Sequence, residues 1–209
     1  MMKFVDISEI LDKLIVDLRY YGDYNFVGTK IDGYEERIAI LSHEAAMALN
    51  KANIELNQMG YGIIIYDTYR PQRAVNHFIR WADDIDDIKM KDIFYPDLDK
   101  KDLFKLGYIA SKSSHSRGST VDLSLYSLEN KEPLDMGGNF DYFSNISHSD
   151  FIDGLSEKQI NNRKLLKDVM MKNGFDYYES EWWHFTLKDE PYPNTYFDFP
   201  ICKKSLNTK

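Results

Sequence analysis

The chain has 209 residues, 43% of them hydrophobic and 29% charged, and a formal net charge of −8. That length suits one self-standing domain, and the acidic balance disfavours a nucleic-acid or anionic-membrane partner. The one cysteine, Cys202, leaves no intrachain disulfide, and the longest apolar run, Ile63–Tyr66, is far too short to span a bilayer.

The N-terminal M-M-K-F-V-D-I-S-E-I places Asp6 and Glu9 where a signal peptide would be apolar, so a soluble cytoplasmic protein is expected. Over residues 8–21 two readings stand. Ser8 could cap a short helix through Ile10, Leu11 and Leu14. From Leu14 onward, Val16, Leu18 and Tyr20 alternate as a strand does. Residues 22–35 hold three glycines with turn-forming Asp and Asn, and predict a functional-length loop. A helix follows from about Ser42, with Ala45, Ala46, Leu49, Ala52 and Leu56 at helical spacing and Gly60 closing it. Gly62–Tyr66 is apolar without alternation and predicts a central strand buried on both faces. Pro71 suits the first turn of a helix over 71–82, with Ala74, Val75, Phe78, Ile79 and Ala82 inward. Asp83–Asp87 reads as a solvated linker, and 94–108 as irregular.

Lys112–Tyr126 begins as a serine-rich loop and ends as a strand, with Val121, Leu123 and Leu125 alternating against Asp122, Ser124 and Tyr126. A long connection over 127–157 precedes a helix at Glu157–Lys172, with Ile160, Leu165, Val169 and Met170 roughly on one side and Gly174 as its stop. Phe175–Tyr178 and Trp182–Leu187 form a closing hairpin joined by E-S-E, and the proline-punctuated tail wraps the surface. No repeat or convincing linker divides the chain. A single α+β domain over 1–209 is expected, with helices packed on a mainly antiparallel sheet.

Of the five histidines, His43 and His77 lie in predicted helices without a partner at matching spacing, and His148 lies in a polar loop. His115 and His184 differ. Catalytic zinc keeps three protein ligands and one open position, and His115, Asp122 and His184 would supply two nitrogens and a carboxylate. H-x6-D alone is a weak pattern; E-x2-H at 181–184 strengthens it. A carboxylate beside a metal-activated water can serve as general base and then as proton donor. Strand alternation would place Glu181 and His184 on opposite faces, so Glu181 is expected on the turn before the strand. The bland alternative makes Glu179 and Glu181 charges at a hairpin tip. Arg70 ends the buried strand, where it could stabilise a developing oxyanion or simply pair with one of many acids.

Together, Y-D-T-Y-R-P (66–71), S-S-H-S-R-G-S-T-V-D-L (113–123) and E-W-W-H-F (181–185) resemble D-alanyl-D-alanine dipeptidases of the VanX type. That zinc family belongs to a wider group with D-Ala-D-Ala carboxypeptidases and hedgehog-like zinc domains. The likeness extends to D-L-R-Y…N-F-x-G (17–28), D-G-Y-E (32–35) and D-E-P-Y-P-N-T-Y-F-D-F-P (189–200).

The resemblance implies one Zn2+ per chain on His115, Asp122 and His184, with Glu181 as base and Arg70 stabilising the tetrahedral intermediate. It places Tyr20, Ser114 and Asp141 around a dipeptide. A dipeptide has a charge at each end, and burying either unpaired is costly. Asp141, with Tyr20, would receive the ammonium; the serine-rich loop, Ser113 and Ser114 in particular, would receive the carboxylate. The implied partner is a small dipeptide, with no nucleic acid or membrane, and a homodimer stays open. Two alternatives remain: a related carboxypeptidase on longer cell-wall peptides, and a zinc-stabilised binding domain without turnover. The intact Glu181 and Arg70 argue against the second. The biological use, glycopeptide resistance or recycling of wall peptides, is left open.

Overall fold

The computed structural model describes residues 3–206; the first two residues of the stretch inspected for a signal peptide, and residues 207–209, lie outside it. In chain order the elements are β1 (Phe4–Asp6), β2 (Leu14–Val16), β3 (Ile40–Ser42), α1 (His43–Gln58), β4 (Tyr61–Asp67), α2 (Gln72–Asp83) and α3 (Lys91–Phe94). They continue with β5 (Thr120–Ser127), α4 (Glu157–Lys172), β6 (Phe175–Tyr178), β7 (Glu181–Leu187) and α5 (Lys203–Leu206).

The main sheet has the order β2-β4-β5-β7-β6, and every pair but β2–β4 is antiparallel. This is the expected α+β architecture. The run G-I-I-I-Y became β4 because it lies inside the sheet, where both faces are covered and alternation carries no advantage. Register then sorts the site. Ile65 pairs with Leu123, Ile63 with Leu125 and Val121 with Phe185, all fully buried, while Asp122 pairs with His184. In an antiparallel ladder directly opposed residues share a face. One face thus carries these apolar pairs, and the other carries the two candidate ligands side by side.

α1 packs on β4, and α4 on β6 and β7. Both start as their sequences predict: the Ser42 hydroxyl accepts the Ala45 N–H, and Ser156 forms a capping box with Gln159. Such caps contribute about 0.5–2 kcal/mol each. The polar face of the sheet is roofed by α2 and by two irregular segments. Phe26 and Tyr20 from the first pack against Phe78 of α2, and Phe140 and Phe143 from the second meet Tyr20 and Phe26. Polar groups on the sheet thus sit inside an aromatic shell.

Several expectations shift. Residues 8–14 do not form a helix: only a 3-10 turn at Ile7–Glu9 appears, capped by Asp6 rather than Ser8. The strand reading holds for Leu14–Val16, but Tyr20 lies in a 3-10 turn beyond it. β1 pairs with β3 in a separate two-stranded sheet that the pattern did not predict. Pro71 precedes α2 as its N-cap, and Trp81 rather than Ile79 is buried; in α4, Leu166 rather than Leu165 faces the core. Among the described residues no helix is long and apolar enough to cross a membrane.

Candidate metal centre

His115 lies in a 3-10 turn, Ser114–Arg117, between a loop and β5. Gly118 ends that turn at φ +83°, and a Cβ there would meet the Phe4 ring at 2.2 Å. Only glycine fits both the left-handed backbone and the close approach. The turn returns His115 over the start of β5, where Asp122 stands opposite His184 of β7. Ligand atoms of His115, Asp122 and His184 all lie within 4.8 Å of one another.

His115 Nδ1 donates to the Thr68 carbonyl at 2.6 Å, which leaves Nε2 as a lone-pair donor. That Nε2 is buried without a hydrogen-bond partner, as is Asp122 Oδ1. His115 Nε2 lies 3.2 Å from Asp122 Oδ2, and His184 Nδ1 lies 3.1 Å from Asp122 Oδ1 but off the line of a hydrogen bond. Ligands about 2.0–2.2 Å from a tetrahedral zinc sit about 3.3 Å apart. Two imidazoles and a carboxylate, two of their buried lone pairs unmet and their spacing close to that value, fit such an ion.

The charges agree. Burial works to raise the Asp122 pKa, but the His115 and His184 rings outweigh it and hold the carboxyl below its ordinary value. Burial works to lower His184, yet Asp122 and Glu181 raise it to about 9. Without a cation the site gathers a proton; a divalent ion would take that proton's place.

The structure corrects the expected place of Glu181. It is not on the turn but is the first residue of β7. The ladder with β6 is irregular there: as β6 steps from Tyr177 to Tyr178, β7 runs from Phe185 to Glu181. This bulge breaks the period of two. Glu181 Oε2 therefore lies 3.3 Å from His184 Nδ1. Ser149 secures the bulge, donating its hydroxyl to the Tyr178 carbonyl at 2.6 Å and lying 3.2 Å from the Glu181 carbonyl.

Arg70 does pair with an acid, and a near one. Its Nε donates to Asp67 Oδ2 at 2.9 Å, and its Nη2 is 3.7 Å from Asp122. It also lies over the Tyr20 ring at 4.8 Å. Burial opposes its charge, but Tyr20, Asp67, Tyr34 and Asp122 keep its pKa well above the usual value. Tyr20 donates to Asp141 Oδ2 at 2.7 Å. Asp141 is buried, with a left-handed backbone at φ +59°. Asp and Asn adopt that conformation more readily than other non-glycine residues. Burial pushes its carboxyl well above the ordinary range, the Tyr20 hydrogen bond only partly offsetting this.

Tyr20, Arg70, Ser113, Ser114, His115, Asp122, Asp141, Glu181 and His184 thus border one cavity of about 360 Å³. Ser113 Oγ accepts the His115 N–H, and Ser114 Oγ lies 3.2 Å from His184 Nε2, which turns Nδ1 inward. His43, His77 and His148 stay outside the cluster. Sequence reasoning gave no role to Asp67, Tyr34 or Thr68. Asp67 accepts the Tyr34 hydroxyl at 2.7 Å as well as Arg70, tying the guanidinium to the fold. A carboxylate closing an all-apolar strand was the available signal.

A buried cluster of two imidazoles and a carboxylate, flanked by a glutamate that lines the same cavity, has the make-up of a metallohydrolase centre. Comparison with known proteins narrows the class. The family described as D-ala-D-ala dipeptidase, Peptidase_M15, matches residues 1–202, and the chain belongs to it. It is an enzyme of a metallopeptidase family. It is 42% identical over 198 residues to the D-alanyl-D-alanine dipeptidase of Enterococcus faecium, covering 95% of this chain and 98% of that one. The D-alanyl-D-alanine dipeptidase of Streptomyces coelicolor is 40% identical over 199 residues, with 95% and 98% covered. That of Escherichia coli is 31% identical over 185 residues, with 88% and 84% covered.

Proposed function

We propose that the protein hydrolyses D-alanyl-D-alanine to two D-alanines, with one zinc ion held by His115, Asp122 and His184. A zinc ion held there would polarise a carbonyl and lower the pKa of its water to about 7. The chain's own residues do the rest. Glu181 takes a proton from the attacking water and returns it to the amine that leaves. Arg70, charged and braced by Asp67, faces the carbonyl oxygen as negative charge builds there. Asp141 receives the substrate ammonium; burial raises its carboxyl pKa and so favours the neutral form, and an arriving cation favours the carboxylate. Tyr20 orients it. Ser113 and Ser114 offer hydroxyls to the substrate carboxylate at the opposite end. The aromatic shell lowers the local polarity and so strengthens the pairings that are buried.

The observation that carries this reading is the convergence of Glu181 on the His184 side of an unsatisfied three-ligand cluster. The test is to incubate zinc-loaded protein with D-alanyl-D-alanine and with a longer peptide of the same C-terminus, and to measure free D-alanine. Release from the dipeptide alone is expected. Release from only the longer peptide would make the protein a carboxypeptidase, and no release from either would end the enzymatic reading of this site.

A further inference from the structure

Two of the motifs hold charged residues that the proposed reaction leaves without a role: Arg117 in S-S-H-S-R-G-S and Glu190 in D-E-P-Y-P-N-T-Y-F-D-F-P. They stand 73 residues apart and meet in a forked ion pair. Arg117 Nε donates to Glu190 Oε2 at 2.9 Å, and Nη2 donates to Oε1 at 2.7 Å. The two side chains are 18% and 10% exposed, so the pair is largely withdrawn from water. Two parallel bonds fix its geometry as well as its charge. Tyr196 of the same tail lies against the guanidinium, its ring centre 5.9 Å away, but carries no charge to balance it.

Arg117 is the last residue of the 3-10 turn that carries His115, and His115 stands two residues ahead of it. Between them, the Ser116 carbonyl accepts the Phe197 N–H at 2.8 Å, so the tail holds the turn at two successive residues. The other side of the turn rests on the segment after β4, through the Thr68 carbonyl and the Arg70 N–H. That segment continues a central strand. The tail has no such support: residues 190–200 contain neither helix nor strand. Its place over the turn depends on these contacts. Neither Arg117 nor Glu190 borders the cavity.

Removing one partner of a largely buried ion pair leaves the other charge uncompensated, and it moves toward water. Arg117 cannot do so without drawing on the turn beside it. A ligand that must be pulled back to reach an ion binds that ion less tightly. We propose that Glu190 is a positioning residue for the metal: through Arg117 it holds the tail on the turn of His115 and so sets how tightly the three-ligand cluster grips zinc. This rests on the zinc site of His115, Asp122 and His184 proposed above.

The test titrates the metal-free full chain with zinc against a chromophoric chelator and records metal-free melting temperatures alongside. Glu190→Gln keeps the size and one acceptor but sets an amide NH2 against the guanidinium. Its zinc dissociation constant should rise about 10–100-fold, the range for groups that orient metal ligands from outside. Arg117→Lys, which keeps the charge but loses the fork, should weaken zinc too. The control is Asp198→Asn. Asp198 lies on the same tail but is tied to α2, where it accepts the Arg73 backbone N–H at 2.7 Å and pairs with its side chain. Zinc affinity should be unchanged there. Wild-type affinity in Glu190→Gln would overturn the proposal whatever the melting temperature, because a role in stability alone moves melting and not affinity. If Glu190→Gln does not fold, wild-type affinity in Arg117→Lys overturns it equally. Weakening of the same size in Asp198→Asn would assign the effect to the tail at large and also overturn it. A wild type that binds no zinc would bring down the metal site itself; a wild type that binds zinc no better than Glu190→Gln brings down only the role of Glu190.

Discussion

The two histidines of the cluster are held in opposite ways. His115 is 2% exposed and fixed by backbone: its ring donates to the Thr68 carbonyl, and its own carbonyl accepts from the N–H groups of Arg70 and Gly118. His184 sits on a bulged strand, and its ring meets side chains, among them those of Ser114, Asp122, Glu181 and Tyr178. Backbone partners move little when a ligand arrives. Side-chain partners, one of them a carboxylate facing the cavity, can re-pair as charge enters and leaves. Rigidity thus lies at His115 and adjustability at His184, beside Glu181.

Deleting the rigid flank should have the largest effect. His115→Ala is expected to carry zinc only at background level by atomic emission, with hydrolysis equally lost; full occupancy would contradict the three-ligand site. On the adjustable flank the two losses should separate. Glu181→Ala should keep its zinc while kcat falls about 10²–10⁴-fold, the usual contribution of a positioned general base. Loss of metal instead would make Glu181 a ligand.

Across the cavity, Asp141→Asn keeps an acceptor for Tyr20 but cannot become charged. The Michaelis constant should rise about 10–100-fold, in line with about 1.5–3 kcal/mol for a hydrogen bond to a charged group. The same variant has a stability signature in metal-free protein. The folded carboxyl is raised by burial, so the folded state binds this proton more tightly than the unfolded chain does. Wild-type stability therefore falls, relative to the Asn variant, as pH climbs above the unfolded carboxyl value of about 4. Thermal melts should show Asp141→Asn the more stable protein at neutral pH, and the gap should close at pH 3. A constant gap at all pH values would show that ionisation is not its cause. The smallest effect is expected from Ser149→Ala, which frees the carbonyls of the Glu181 bulge. One neutral hydrogen bond contributes about 0.5–1.5 kcal/mol, so kcat should drop about 2–10-fold with zinc content and Michaelis constant unchanged. An unaltered kcat would show that the bulge holds its shape without the serine.

Much of this was legible in the chain. Ser42 announced α1 because capping is local chemistry, and α4 was announced by its apolar spacing, its Ser156 cap appearing only in the structure. The apolar run of β4 announced a central strand because no amphipathic surface strand would tolerate it. His115, Asp122 and His184 stood out by residue type and motif. What escaped detection was non-local. Asp67 and Tyr34 are 33 residues apart and meet only once β4 is laid beside the looping segment that carries Tyr34. The two-stranded β1–β3 sheet joins segments of three residues each, too short to show a period.

Glu181 marks the boundary between the two kinds of knowledge. Residue type and spacing, three positions ahead of a histidine in E-W-W-H-F, were enough to nominate it beside a metal, and family resemblance was enough to suggest a proton carrier. Neither could say how it gets there, because a regular strand would turn it away. Side-chain direction along a strand is set by pairing with a neighbour, and only the folded sheet, with its irregular register against β6 and the Ser149 loop behind it, turns Glu181 toward His184.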